Sequence, residues 1–299
     1  MEENKITLSK LGSFHNKHYK TLLLIPLILT IFCLAYMFFF YSKNNDFIYK
    51  DISLTGGSVL TVYGNTDVTK LKTFLETEIP DASVKEIYDI LTREQKAVII
   101  ETQSDKNQLK KTIEDYLGYE LNEENSSFEF TGSGLSKSFY NQLLIALVVS
   151  FVLMSLVVFI IFRSFIPSFA VISCVFMDIL MTLTLVNILG LELSSAGIVA
   201  FLMLVGYSVD TDILLTNKLL KRKDGSVNER IFGAFKTGIT MTLTSLLAVL
   251  VTLIIVQSYS SILNQIFIIL SIGLFFDIFN TWGTNVSVLK WYVERKNKQ

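Results

Sequence analysis

The chain has 299 residues, of which 51% are hydrophobic and 18% charged, and its mean hydropathy is +0.49. That balance excludes an ordinary soluble globular domain, because so much apolar surface needs lipid to face. A formal net charge of −1 offers no basic footprint for nucleic acid, and the two cysteines, Cys33 and Cys174, lie in apolar stretches where no disulfide framework or metal site is expected.

In chain order, the first 20 residues are polar and basic, and residues 21–40 are free of charge. A membrane-crossing helix needs about 20 apolar residues, and this stretch starts too late and runs too long for a cleavable signal peptide. Between residues 42 and 138 the pattern changes to short mixed segments, as in a folded aqueous domain with its own core. Leu54 and residues 58–63 read as strand, with Gly56 and Gly57 as a turn or bulge. A helix over 67–78 ends at Pro80, strands follow at 84–88 and 97–101, a second amphipathic helix covers 106–116, and a last strand covers 127–130. The order β-α-β-β-α-β predicts a ferredoxin-like α+β domain.

Five further spans are predicted over 139–162, 168–189, 193–217, 237–262 and 263–289, the last two parted by a hairpin near Ser258, Tyr259, Ser260 and Ser261. The fold class is therefore a multi-pass helical membrane protein with six spans: residues 21–41 as helix one, 42–138 as the inserted domain, and 139–289 as a five-helix unit. Basic residues near spans stay cytoplasmic. Lys5, Lys10, Lys17 and Lys20, then Arg163, then Lys218, Lys221, Arg222, Lys223, Arg230 and Lys236, then Lys290, Arg295, Lys296 and Lys298 all fall on one side. Both termini, 1–20 and 290–299, are thus expected in the cytoplasm, the inserted domain outside it, and the chain in the cell membrane. Trp282 and Trp291 read as interfacial anchors.

An aspartate at mid-membrane costs about 2.5–3.5 kcal/mol on insertion scales, yet Asp178, Asp210, Asp212 and Asp277 all fall inside predicted spans. At helical spacing Tyr207 shares a face with Asp210, and Ser208 with Asp212, so the two acids cannot line one narrow seam. One reading makes Asp210, with Thr211 or Asp212, part of a proton relay between spans. The other makes the carboxylates hydrogen-bonded glue between helices. Lys236 is either a counter-charge or a snorkelling, topology-setting residue. Small residues at Ser194, Ser195, Ala196, Gly197 and Gly206 permit close helix approach. The two histidines, His15 and His18, stand in the N-terminal segment, and neither a hydrolytic triad nor a Gly-x-x-x-x-Gly-Lys-Ser/Thr phosphate loop occurs, so no enzyme and no cofactor are expected.

Three strings coincide with a known pattern: Asp51-Ile-Ser-Leu-Thr55-Gly56-Gly57 after the first span, Phe130-Thr-Gly-Ser-Gly-Leu-Ser-Lys before the second, and Val205-Gly206-Tyr207-Ser208-Val-Asp210-Thr211-Asp212 in the fourth. Together they resemble the SecF proteins of the SecD/SecF family, in the resistance-nodulation-division superfamily, and the Asp-Thr-Asp version is similar to the archaeal branch. The resemblance implies an accessory subunit of the Sec protein translocase, paired with SecD beside a SecY-type channel. It also implies contact with exported unfolded polypeptides and membrane lipid, and coupling to proton or sodium flow. By the same resemblance the 210–212 patch matches the acidic patch of span four, and Lys236 a position where bacterial members carry Arg. A scaffold without ion coupling and a lipid or small-molecule transporter half are the competing expectations.

Overall fold

The computed structural model describes residues 2–89, 92–221, 225–257 and 260–296, with side chains from Thr21 onward. The side chains of Lys5, Lys10, His15, Lys17, His18 and Lys20, together with Arg222, Lys223, Ser258, Tyr259 and Lys298, lie outside the described residues. Helix α1 (Glu2–Asn44) leads through a short turn α2 (Ile52–Thr55) into β1 (Gly57–Tyr63), α3 (Val68–Glu78), β2 (Ser83–Tyr88), β3 (Gln95–Thr102), α4 (Lys106–Leu117) and β4 (Ser126–Thr131). The chain then returns to long helices: α5 (Ser133–Phe162), α6 (Phe165–Ile188), α7 (Ser195–Leu220), α8 (Val227–Val256), α9 (Ser261–Asn280), a π-turn (Thr281–Asn285) and α10 (Val286–Lys296). Among the described residues, six helical stretches are long and apolar enough to cross a membrane, the last being α9 through α10 as one run of 36 residues.

The four strands form one antiparallel sheet in the order β2-β3-β1-β4. One face is closed by α3 and α4. Alternation puts Leu60, Val62, Val98 and Ile100 on that face, where they meet Leu71 and Leu75 of α3 and Leu109 and Ile113 of α4. Asp67 and Asp105 begin these helices by accepting backbone N–H groups of Lys70 and Asn107 at 3.1 Å each. Gly118, at φ 75°, ends α4 in the left-handed conformation that glycine adopts without strain.

Leu54 is not in a strand. The Asp51 carboxylate accepts both the backbone N–H (2.8 Å) and the hydroxyl (2.6 Å) of Ser53, which winds residues 52–55 into a helical turn. Leu54 then points into the helix bundle beside Tyr140, Leu193 and Ile198. Gly56 follows at φ 85° and ψ 154°, a conformation left almost wholly to glycine. A Cβ there would stand 2.5 Å from the Ser133 Cα.

The sheet unit is tied to the bundle through this linker. Asp51 N–H donates to the Leu193 carbonyl (3.1 Å), Leu193 N–H to the Tyr49 carbonyl (2.6 Å), and Ser195 N–H to the Ser53 hydroxyl (2.9 Å). Asn187, at the end of α6, donates to the Phe47 carbonyl at 2.8 Å. On α9, Gln265 accepts from Ser194 N–H at 3.0 Å and donates to the Glu192 carbonyl. The open sheet face, carrying Thr61, Ile99 and the Lys85–Glu101 ion pair (2.6 Å), looks across a cleft of about 230 Å³ to Ser194 and Gln265.

Within the bundle, α6 and α7 are central and largely buried, whereas α5 and α8 are peripheral and mostly exposed. Helix α8 begins at Val227, before the expected 237, because Ser226 and Glu229 close a capping box. Helix α10 continues the last span, and within it Lys290 is fully buried. Trp282 is partly buried. Its ring packs edge-on to Phe235 at 4.9 Å and so close to Gly238 that a Cβ added there would meet it at 2.7 Å.

Candidate functional site

Three helices each deliver one carboxylate to the middle of the bundle: Asp178 from α6, Asp212 from α7 and Asp277 from α9, all with no solvent exposure. Ser208 stands one turn before Asp212 on the inward stripe of α7 and donates to Asp178 Oδ2 at 2.5 Å. Asn280 donates to Asp178 Oδ1 at 2.7 Å. Thr281 Oγ1 lies 2.9 Å from Asp212 Oδ1 and 3.2 Å from Asp277 Oδ1, bridging the two acids, and Asn285 donates to Asp212 Oδ1 at 2.7 Å.

Asp277, Thr281 and Asn285 stand four residues apart and so share one stripe of the last span, which lets Thr281 and Asn285 reach the same oxygen of Asp212. A π-turn occupies Thr281–Asn285 on this stripe.

The recorded donors are all neutral, and they are fewer than the acceptors. Thr281 has one hydrogen and two carboxylates to serve. Among the described residues Asp212 Oδ2, Asp277 Oδ2 and the side-chain carbonyls of Asn280 and Asn285 are buried without a hydrogen-bond partner. The network therefore has room for protons beyond those its amides and hydroxyls supply.

Of the residues singled out in the sequence, Asp178, Ser208, Thr211, Asp212 and Asp277 lie inside the bundle, Thr211 at 3.4 Å from the Thr242 hydroxyl. Gly206, Tyr207, Asp210 and Lys236 lie on the outside. Asp51, Thr55, Gly56 and Gly57 form the linker that docks the sheet unit, remote from the acids. Sequence reasoning missed Asn280, Thr281 and Asn285. Their signal was the polar cluster Asn280-Thr281 and Thr284-Asn285 interrupting an apolar span.

These features define a helical membrane protein with a small four-stranded unit inserted after its first span and a buried carboxylate network in its core. Residues 110–295 match the family model described as protein export membrane protein SecD/SecF, C-terminal. The chain is 37% identical over 284 residues to the protein-export membrane protein SecF of Methanocaldococcus jannaschii, covering 93% of this chain and 96% of that one. It is 34% identical over 283 residues to the SecF of Methanothermobacter thermautotrophicus, at 93% and 94% coverage. The fold is similar to the crystal structure of SecDF, a translocon-associated membrane protein from Thermus thermophilus, with a TM-score of 0.72 over 92% of this chain at 19% identity. The chain spans 38% of that longer one. The chain belongs to the SecF proteins of the SecD/SecF family of protein-export membrane proteins. Its relatives are named for transport and not for a catalysed reaction.

Proposed function

We propose that this chain is the SecF-type half of a SecD–SecF pair beside a SecY-type channel, and that it uses ion movement through its buried carboxylates to assist the outward passage of unfolded polypeptides. In this reading the chain sits in the cell membrane with residues 1–20 and 290–299 in the cytoplasm. Residues 42–138 form the exported domain and 139–289 the five-helix unit. The sheet order β2-β3-β1-β4 with two helices on one face supports a ferredoxin-like domain. Its open face, above the cleft that ends at Ser194 and Gln265, is the surface offered to emerging chain.

One observation carries the ion coupling: three acids from three helices meet here, Thr281 bridging Asp212 and Asp277, Asn285 holding Asp212 and Asn280 holding Asp178, with acceptor oxygens left over. A proton entering such a network changes which hydrogen bonds hold α6, α7 and α9 together. In the relay role, Asp212 and Asp277 exchange a proton across the Thr281 hydroxyl, and Asp178, held by Ser208 and Asn280, senses their charge. Lys236, exposed near the start of α8, serves to set topology rather than to counter these acids.

The test is export of a secreted reporter in cells whose own copy is replaced by Asp178→Asn, Asp212→Asn or Asp277→Asn, with recovery of SecD measured from the same membranes. Ion coupling predicts that export falls at least tenfold while SecD recovery is kept. Unchanged export would sink the coupling. Loss of SecD recovery together with export would favour the glue role, in which the network only holds helices in place.

A further inference from the structure

We infer that Asn125, in the turn between α4 and β4, is an acceptor for covalent attachment of an oligosaccharide through its side-chain amide nitrogen. The inference goes beyond the translocation reading and rests on it at one point only, that residues 42–138 lie outside the cytoplasm.

The string Asn-x-Ser/Thr, with x any residue but proline, is the acceptor pattern for N-linked sugar on the surface loops of exported chains. It occurs twice here, as Asn125-Ser126-Ser127 and as Asn285-Val286-Ser287. A pattern this short arises readily by chance, so surroundings must decide between the two. Asn285 has no solvent exposure, donates to Asp212 at 2.7 Å and stands within the last span, closed to any sugar. Asn125 stands in the opposite setting.

Its turn is anchored by Leu121, which is buried in the core of the sheet unit, while residues 118–120 and 122–124 are exposed and Asn125 is partly so. The Asn122 backbone N–H donates to Asn125 Oδ1 at 2.8 Å, and Asn125 Nδ2 gives one hydrogen to the Glu120 carbonyl at 3.0 Å. A side-chain amide carries two hydrogens, and the second has no partner among the described residues. Substitution there removes neither of the bonds that shape the turn.

The turn is also at the right end of the sheet. The Asn125 carbonyl accepts the Tyr63 N–H at 2.9 Å, beside the end of β1, whereas Gly57 at the start of β1 pairs with Thr131 next to the linker. From Gly57 to Tyr63 the strand rises about 20 Å at about 3.3 Å per residue, so Asn125 stands at the tip away from the bundle. The cleft between sheet and bundle reaches β4 at Glu129 and Thr131, about 13 Å or more down the strand from Asn125. A hydrated oligosaccharide on Asn125 leaves that cleft clear.

The donor is a sugar activated on a lipid phosphate and handed over by a separate membrane transferase. The bond from the sugar C1 to the phosphate oxygen breaks, and a bond from C1 to Nδ2 forms. The amide proton passes to a base of the transferase, and the lipid phosphate leaves with the bonding electrons. Nothing is oxidised or reduced.

Mass spectrometry of the chain from membranes of its native host tests this. The peptide carrying Asn125 should be heavier than its sequence by one or more sugar residues, while the peptide carrying Asn285 from the same digest should have its sequence mass. Asn125→Gln should abolish the added mass. Because Asn125 also holds the turn, Ser127→Ala is the second variant: it keeps both turn bonds and should abolish the addition too, whereas Ser127→Thr should keep it. An Asn125 peptide at its bare sequence mass, or an addition that persists in Asn125→Gln or Ser127→Ala, overturns the inference. Orientation is read separately, from reaction of Glu76→Cys, at an exposed position of α3, with a membrane-impermeant maleimide on intact cells; Cys33 and Cys174 are buried and give no background. Labelling together with a bare Asn125 peptide sinks the modification and leaves the export of this domain standing. Labelling only after lysis sinks the export reading itself.

Discussion

Gly56 joins α2 to β1 at φ 85° and ψ 154°, with the Ser133 backbone 2.5 Å from where a Cβ would be. Gly56→Ala should therefore cost about 1–3 kcal/mol in backbone strain alone, before the clash is relieved. Gly134, which faces open space inside α5, is the control: Gly134→Ala should be neutral or stabilising by up to about 1 kcal/mol. Thermal unfolding of the purified protein separates the two. Thr281 carries the same kind of weight in the core. Thr281→Val keeps the shape but leaves Asp212 and Asp277 without their bridge, and should cost about 1–3 kcal/mol. Thr281→Ser should restore most of it, and failure of that rescue would show that the hydroxyl is not the operative group. The acids themselves were visible in the sequence because a charge stands out in an apolar run. Which of Asp210 and Asp212 turns inward was not, since helical spacing separates their faces but only α6 and α9 decide which face is covered.

Elements followed hydropathy wherever a boundary coincided with a change in polarity, as at Phe162 and at both helices of the sheet unit. They departed from it where hydrogen bonding or packing set the end. The capping box at Ser226 starts α8 in a polar stretch, and Ser226→Ala should lower stability by about 1 kcal/mol. The π-turn coincides with the polar pairs Asn280-Thr281 and Thr284-Asn285, but polarity alone does not tell a π-turn from an ordinary helical one. The α6–α7 connection shows how an element outside the membrane responds to pH. Glu192 is exposed, yet the protein beside it desolvates its carboxyl in part and raises it above the ordinary value; Lys85 of β2 counters this, while Glu101 of β3 and Asp51 of the linker add to it. A raised acid favours the folded, docked arrangement when protonated, and that contribution is lost as pH rises from the ordinary 4.5 through the raised value. Hydrogen exchange at the Asp51, Leu193 and Ser195 amides should therefore slow as pH falls through that window, after correction for intrinsic rates. Glu192→Gln should flatten the dependence; an unchanged profile would place the effect elsewhere.

At the scale of the molecule, the helices that carry the acids are also the ones that grip the linker to the sheet unit. Asp178 and Asn187 share α6, about 14 Å apart at 1.5 Å per residue; Asp277 and Gln265 share α9, about 18 Å apart; Asp212 and Ser195 share α7, about 26 Å apart. Asn187 holds the Phe47 carbonyl, Gln265 holds Ser194 and Glu192, and Ser195 holds Ser53. Under the proposed ion coupling, a small shift of these helices on gain or loss of a proton would be delivered to one short segment, residues 47–53, from which the sheet hangs. Packed helices shift between discrete arrangements rather than deforming smoothly. Coupling of this kind predicts that Asp178→Asn changes hydrogen exchange at the Asp51 and Ser195 amides although neither touches it. In the double variant with Gln265→Leu that response should shrink, because α9 no longer holds the connection, while the acids keep their own bonds. A response of equal size with and without Gln265 would mean that the sheet is moved by some route other than the α9 contact.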